Sequence, residues 1–184
     1  MTRHPDLISP VSFLAHVQKL PRSGLPVVIE ADERQRAALA LDHDLLSVDR
    51  WRAELLVTAW KRQGVKVSGT VTADIVQTCV VTLDPLAARV DAEVEGLYFR
   101  EDSRIGRDGF AEGGEIVLDP EGEDAPETFS GSTLDVGLLA EQFFGLAIDP
   151  YPRKPGAAID EAPVDDDEAV VAPFAKLAAL KPKS

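Results

Sequence analysis

From Trp51 onward the chain alternates. Trp51, Ala53, Leu55, Val57 and Ala59 occupy odd positions, against Arg52, Glu54 and Thr58 on even ones, the period of two that gives a strand one apolar and one mixed face. Leu56 and Trp60 make the second face less than fully polar. After Arg62-Gln63-Gly64 the alternation resumes, with Val65, Val67, Gly69, Val71, Ala73 and Ile75 against Lys66, Ser68, Thr70, Thr72 and Asp74, which predicts a hairpin. Over Leu86 to Phe99, Leu86, Ala88, Val90, Ala92 and Val94 fall on one face and Arg89, Asp91, Glu93 and Glu95 on the other. The three segments predict an antiparallel β-meander or partly open barrel with one face on a core.

The flanks read as short helices packed on that sheet, for an α+β fold. Pro10 to Gln18 follows Ser9, a good N-cap, and sets Val11 and Leu14 on one side; Pro21, Gly24 and Pro26 stop it. Leu25 to Ile29 is β-prone, and Asp32-Glu33-Arg34-Gln35-Arg36 with Ala37 to Leu41 reads as a helix carrying acids in its first turn. Residues 101–130, rich in Gly, Asp and Glu, read as a mobile loop around one strand, Ile116-Val117-Leu118. A helix follows from Asp135 as N-cap, with Leu138, Leu139, Phe143 and Leu146 on its stripe, and stops before Asp149-Pro150; Gly137 and Gly145 weaken it. The expected organisation is one domain over 1–148, a disordered acidic linker over 149–172, and an amphipathic terminal motif over 173–184 with Phe174, Leu177 and Leu180 at helical spacing.

Charge sharpens this division. The 184 residues carry 32 acidic and 19 basic side chains, a net −13. Residues 1–89 hold 11 basic and 10 acidic groups while 90–184 hold 8 and 22, so the acidity belongs to the second part. A surface of that charge does not attract phosphate as a whole, which argues against DNA and against unaided RNA binding. No apolar run approaches membrane-spanning length, Met1 to Leu20 has no export h-region, and the single Cys79 has no intrachain partner, so a cytoplasmic protein with a reduced thiol is expected.

The chemistry on offer is sparse, and no enzyme is expected. His4, His16 and His43 lie near no catalytic pattern, Gly64 to Gly69 lacks the Gly-Lys-Ser/Thr sequence of a phosphate loop, and Asp165-Asp166-Asp167-Glu168 lacks the spacing of a calcium loop. No metal or cofactor is implied. Cys79 ends the second strand on its apolar phase, so a buried, inert thiol is the simplest reading. Arg50, Arg52, Lys61, Arg62 and Lys66 cluster at the two ends of the first hairpin near Trp51 and Trp60. Cations beside exposed aromatics hold single-stranded RNA by charge and stacking. The alternative, favoured by the acids nearby, is that the tryptophans pack inward and the cations pair with Glu54, Asp49 or the acidic third strand.

The order of the pieces resembles one family. Val67-x-Gly69-x-Val71-x-Ala73, then Cys79-Val80-Val81-Thr82-Leu83-Asp84-Pro85, then a strand ending Tyr98-Phe99, is similar to the centre of the YceD family of bacterial and plastid proteins. So is Leu134-Asp135-Val136-Gly137-Leu138-Leu139-Ala140-Glu141-Gln142, closed by Leu146-Ala147-Ile148-Asp149-Pro150-Tyr151-Pro152. The ending Pro173-Phe174-Ala175-Lys176-Leu177-Ala178-Ala179-Leu180-Lys181 resembles that of the proteobacterial members. Gly69, Cys79, Leu83, Asp135 and Glu141 stand at family-motif positions.

The resemblance implies a non-enzymatic role in accumulation or processing of 23S ribosomal RNA, in proteins often encoded beside a large-subunit ribosomal protein and fatty-acid synthesis genes. Many relatives carry a second cysteine three residues after the first, where this chain has Thr82, so a zinc or redox role does not carry over. Ribosomal proteins or large-subunit precursor particles are the expected partners, with direct RNA contact left open. Phe174, Leu177 and Leu180 then either dock on a partner or fold back on the domain. Two other readings stand beside this one: a regulatory subunit tied to fatty-acid or phospholipid synthesis, and a small-ligand carrier whose meander closes around Leu55, Val57, Val71 and Val90.

Overall fold

A computed structural model describes residues 9–60, 64–101 and 127–157. In chain order the elements are β1 (Leu14–His16), β2 (Leu25–Glu30), α1 (Glu33–Asp42), β3 (Ser47–Trp60), β4 (Gly64–Thr78), β5 (Pro85–Arg100), β6 (Glu127–Phe129), β7 (Thr133–Asp135) and α2 (Val136–Ala147). The alternating segments become neighbours in an open five-stranded sheet of order β2-β3-β4-β5-β6, antiparallel except for β6, which runs parallel to β5. The sheet does not close into a barrel.

Register follows the apolar phase. Trp51 pairs with Ala73, Ala53 with Val71 and Val57 with Val67, and these side chains are all buried. A slip by one residue would turn the whole apolar set to water, so the face fixes the register. A bulge between Val48 and Arg50 inserts the extra residue that lets Val48 and Trp51 share the buried side. At the Leu55–Gly69 pair the backbones approach so closely that a Cβ on Gly69 would stand 2.1 Å from the Glu54 carbonyl oxygen.

Both helices cover the apolar face. Asp32 caps α1: its side chain accepts from Gln35 N at 2.8 Å while Gln35 Oε1 accepts from Asp32 N at 2.9 Å, a reciprocal capping box that relieves two otherwise unpaired donors. Leu39 and Ala40 enter the core. On α2, Val136, Leu139, Ala140 and Phe144 are buried, and Phe144 meets Trp51 edge-on with ring centroids 6.5 Å apart. The expected stripe is therefore one residue out of phase: Leu138 and Phe143 are half-buried and Leu146 is 82% exposed. The phase is set by close approach, since a Cβ on Gly137 would lie 1.9 Å from the Val11 carbonyl oxygen and one on Gly145 would lie 2.8 Å from the His43 ring.

Two local expectations are corrected. Pro10 to Gln18 is not a helix: the chain turns at Ser9, where Ser12 N donates to Ser9 O, and then extends as β1 against β7, pairing Leu14 with Asp135 and His16 with Thr133. Ala15 is buried between exposed Leu14 and His16, a period of two that the short segment hides among helix-compatible residues. Glu127–Phe129, expected to belong to a loop, pairs with Tyr98–Arg100 as a strand, a long-range partnership that no local pattern signals. The strand expected at Ile116-Val117-Leu118, the linker beyond 157 and the terminal motif lie outside the described residues.

Candidate functional site

The face of the sheet opposite the helices is a polar grid. Register aligns Glu30, Arg52, Thr72 and Asp91 in one row across β2 to β5, and Val28, Glu54, Thr70 and Glu93 in the next. A further row sets Pro26, Leu56, Ser68 and Glu95 side by side. Glu54, Thr70 and Glu93 at its centre are exposed. Carboxylates outnumber cations here, because Glu30, Glu54, Asp74, Asp91, Glu93 and Glu95 face Arg50, Arg52, Lys66 and Arg89.

The expected basic cluster is divided by this arrangement. Arg50 faces Asp74 in register, whereas Lys66 faces Thr58 and Leu97, eight residues along β4 or about 27 Å at the usual strand rise. Arg52 is held by Glu30 and by Glu54, whose Oε1 accepts from Nε at 2.9 Å, and hydrogen bonding to Glu54 raises its pKa further. Lys66 pairs with Glu95. Arg89 donates to Asp91 at 2.9 Å, which raises the arginine and lowers the carboxylate. Lys61 and Arg62 lie outside the described residues. Trp51 is 1% exposed, and half-buried Trp60 packs on Phe99 with ring centroids 5.3 Å apart. Trp51 thus packs inward, and on this face Arg52 and Lys66 pair with acids.

The family-motif positions are spread through the fold. Gly69 is the backbone contact within the hairpin. Asp135 caps α2, accepting from Gly137 N and Leu138 N, and also accepts from Phe13 N and Ser12 Oγ. Glu141 Oε1 lies 3.4 Å from His43 Nε2, joining α2 to the end of α1. Leu83 adopts φ 60 in the β4–β5 connection with its side chain exposed. Such a left-handed backbone at a leucine is sterically costly, and the turn around it is held by Leu83 N to Cys79 O and Cys79 N to Asp84 O, both 2.9 Å.

Cys79 is buried as expected, but its surroundings are polar. The Thr82 side chain is the strongest influence, followed by the backbone N–H groups of Thr82, Lys154 and Val81, and these donors bring the thiol from 9.0 down to about 6. Lys154 N lies 3.4 Å from Sγ. The sequence concealed this because the Lys154 segment returns to the turn from far along the chain, fixed by Val80 N to Pro152 O. Among the described residues no three His, Cys, Asp or Glu side chains converge as metal ligands.

A groove of about 320 Å³ lies at the other end of the sheet, lined by residues including Val17, Leu20, Val65, Arg100 and Phe129. It is separate from Leu55, Val57, Val71 and Val90, which belong to one packed core. No helix among the described residues is long and apolar enough to cross a membrane.

Searches of curated proteins and of solved structures each return no match. Residues 67–181, from the second strand of the hairpin through α2 to the terminal lysines, match the family model described as large ribosomal RNA subunit accumulation protein YceD, and the chain belongs to the YceD family.

Proposed function

We propose that this chain supports the accumulation of 23S ribosomal RNA and assembly of the large subunit without catalysis, by binding ribosomal proteins or a mixed protein–RNA surface. The family match supports the ribosomal connection. The observation that carries the mode of binding is the polar grid, where Arg52, Lys66 and Arg89 are already held by carboxylates and Glu54 and Glu93 stand exposed. Such a face favours basic polypeptide over naked phosphate backbone. Phe174, Leu177 and Leu180 supply a second contact in this reading, tethered by the acidic segment that precedes them.

Co-sedimentation with large-subunit precursors across a salt series tests the proposal. A gradual loss as salt rises supports a charge-complementary contact with protein; a steep loss, equivalent to the release of several counterions, indicates phosphate contacts, and no association at any salt rejects the assembly role. Deleting residues 172–184 should weaken co-sedimentation while leaving the melting temperature nearly unchanged. The carrier reading finds little support in an open sheet whose central apolar side chains are packed against helices.

A further inference from the structure

The two edges of the sheet are unlike. β2 is short and carries Pro26, which lacks an N–H and blunts strand addition. β5 is much longer, yet β6 pairs only with Tyr98, Phe99 and Arg100. From Leu86 to Glu95 the outward backbone groups of β5 make no hydrogen bond among the described residues, and the segment contains no proline. A strand edge of that length is a template for another chain.

We propose that this edge takes, as an added strand, an extended polypeptide segment in which basic and apolar residues alternate. The inference rests on the assembly role above and names the partner chemistry for it. On the polar face an incoming strand would lie beside Asp91, Glu93 and Glu95, all exposed. Glu93 has no ion-pair partner among the described residues, while Asp91 and Glu95 retain exposed carboxylates beside Arg89 and Lys66. On the apolar face it would lie beside half-buried Leu86, Ala88 and Ala92, the two alanines leaving room for aliphatic neighbours. Alternation in β5 therefore asks for alternation in its partner: cations on one side, aliphatics on the other. A second copy of the chain fits poorly, because antiparallel pairing of β5 with itself would set one carboxylate row against another.

The test uses the full chain and an alternating Lys-Val heptapeptide, with amide hydrogen exchange over Leu86 to Glu95 and fluorescence anisotropy as readouts. The peptide should slow exchange at those amides; a peptide of the same composition with lysines and valines in separate blocks, or one N-methylated at alternate positions, should bind about tenfold more weakly. Glu93→Lys should weaken the alternating peptide by a similar factor, about tenfold, without changing the circular dichroism spectrum. Equal binding of all three peptides would reduce the interaction to charge alone and overturn the proposal. So would protection of these amides in the dilute free chain, which would mean that the chain's own residues fill the edge, or protection that grows with dimer mass. If wild type and Glu93→Lys co-sediment equally with large-subunit precursors, the edge proposal falls and the assembly role stands. If neither co-sediments, the assembly role itself falls.

Discussion

Asp135 Oδ1 accepts from Phe13 N at 2.9 Å and from Leu138 N at 3.0 Å, so one carboxylate both caps α2 and ties down the chain entering β1. Ser12 Oγ adds a bond of 2.6 Å to the other oxygen. Losing a cap costs ~1 kcal/mol and losing bonds to a charged acceptor costs more, so Asp135→Ala should destabilise the fold by about 2–3 kcal/mol in urea denaturation. Asp135→Asn, which keeps one acceptor oxygen, should recover roughly half of that loss. Equal midpoints for wild type and the alanine variant would mean that these bonds are not formed in solution.

Gly69 and Gly131 make a paired prediction. A Cβ at Gly69 would meet the Glu54 carbonyl at 2.1 Å and Leu55 Cα at 2.8 Å, both backbone atoms that cannot rotate away. Gly131 has φ +84 and nothing within 4 Å of its Cβ position, so alanine there meets backbone strain alone. Gly69→Ala should cost about 2–3 kcal/mol through forced separation of β3 and β4, and Gly131→Ala about 1 kcal/mol. Thermal unfolding of the two variants under one condition checks the order.

The long strands were legible because burial on one face writes a period of two into Trp51, Ala53, Leu55 and Val57, and again into Val65, Val67 and Val71. The caps at Asp32 and Asp135 were legible because capping is local chemistry. β1 and β6 were not, since each has three residues and owes its extension to a partner far along the chain: Leu14 to Asp135, Tyr98 to Glu127. The same limit applies to the site. Asp91, Glu93 and Glu95 announce an acidic row, but nothing local says that Glu30 will reach Arg52 or that Lys154 will close over Cys79.

The Cys79 thiol should make stability depend on pH. Its folded value of about 6 lies below the ordinary 9.0, so the thiolate's contribution is full above pH 9 and is lost as pH falls towards 6. The gap in melting temperature between wild type and Cys79→Ala should therefore widen from pH 6 to pH 9. Thr82→Val removes the leading donor and should move the thiol titration, followed by ultraviolet thiolate absorbance, upward. An unchanged titration would assign the shift to the backbone donors instead.

Phe144 and Trp51 join α2 to β3 within the core. Both are almost fully buried, and the edge-on geometry brings the ring rim of one to the face of the other. Phe144→Ala should cost about 3–5 kcal/mol, and Phe144→Leu clearly less because most of the volume is retained. Near-ultraviolet circular dichroism from Trp51 should weaken in the alanine variant even where it remains folded. A retained signal with unchanged stability would mean that α2 docks through other side chains.

Arg52 separates a structural cation from a ligand-binding one. It is flanked by Glu30 and Glu54 on an exposed face, where ion pairs are screened and contribute little. Arg52→Gln should thus change stability by no more than about 1 kcal/mol. If the guanidinium also gripped RNA, the same substitution would lower particle association and flatten its salt dependence by about one phosphate contact. With both of its neighbours anionic, Arg52 offers phosphate a site that is already occupied, so the salt slope of co-sedimentation should be the same for Arg52→Gln and wild type. A shallower slope for the variant would move this face from the protein-binding to the RNA-binding side of the proposal.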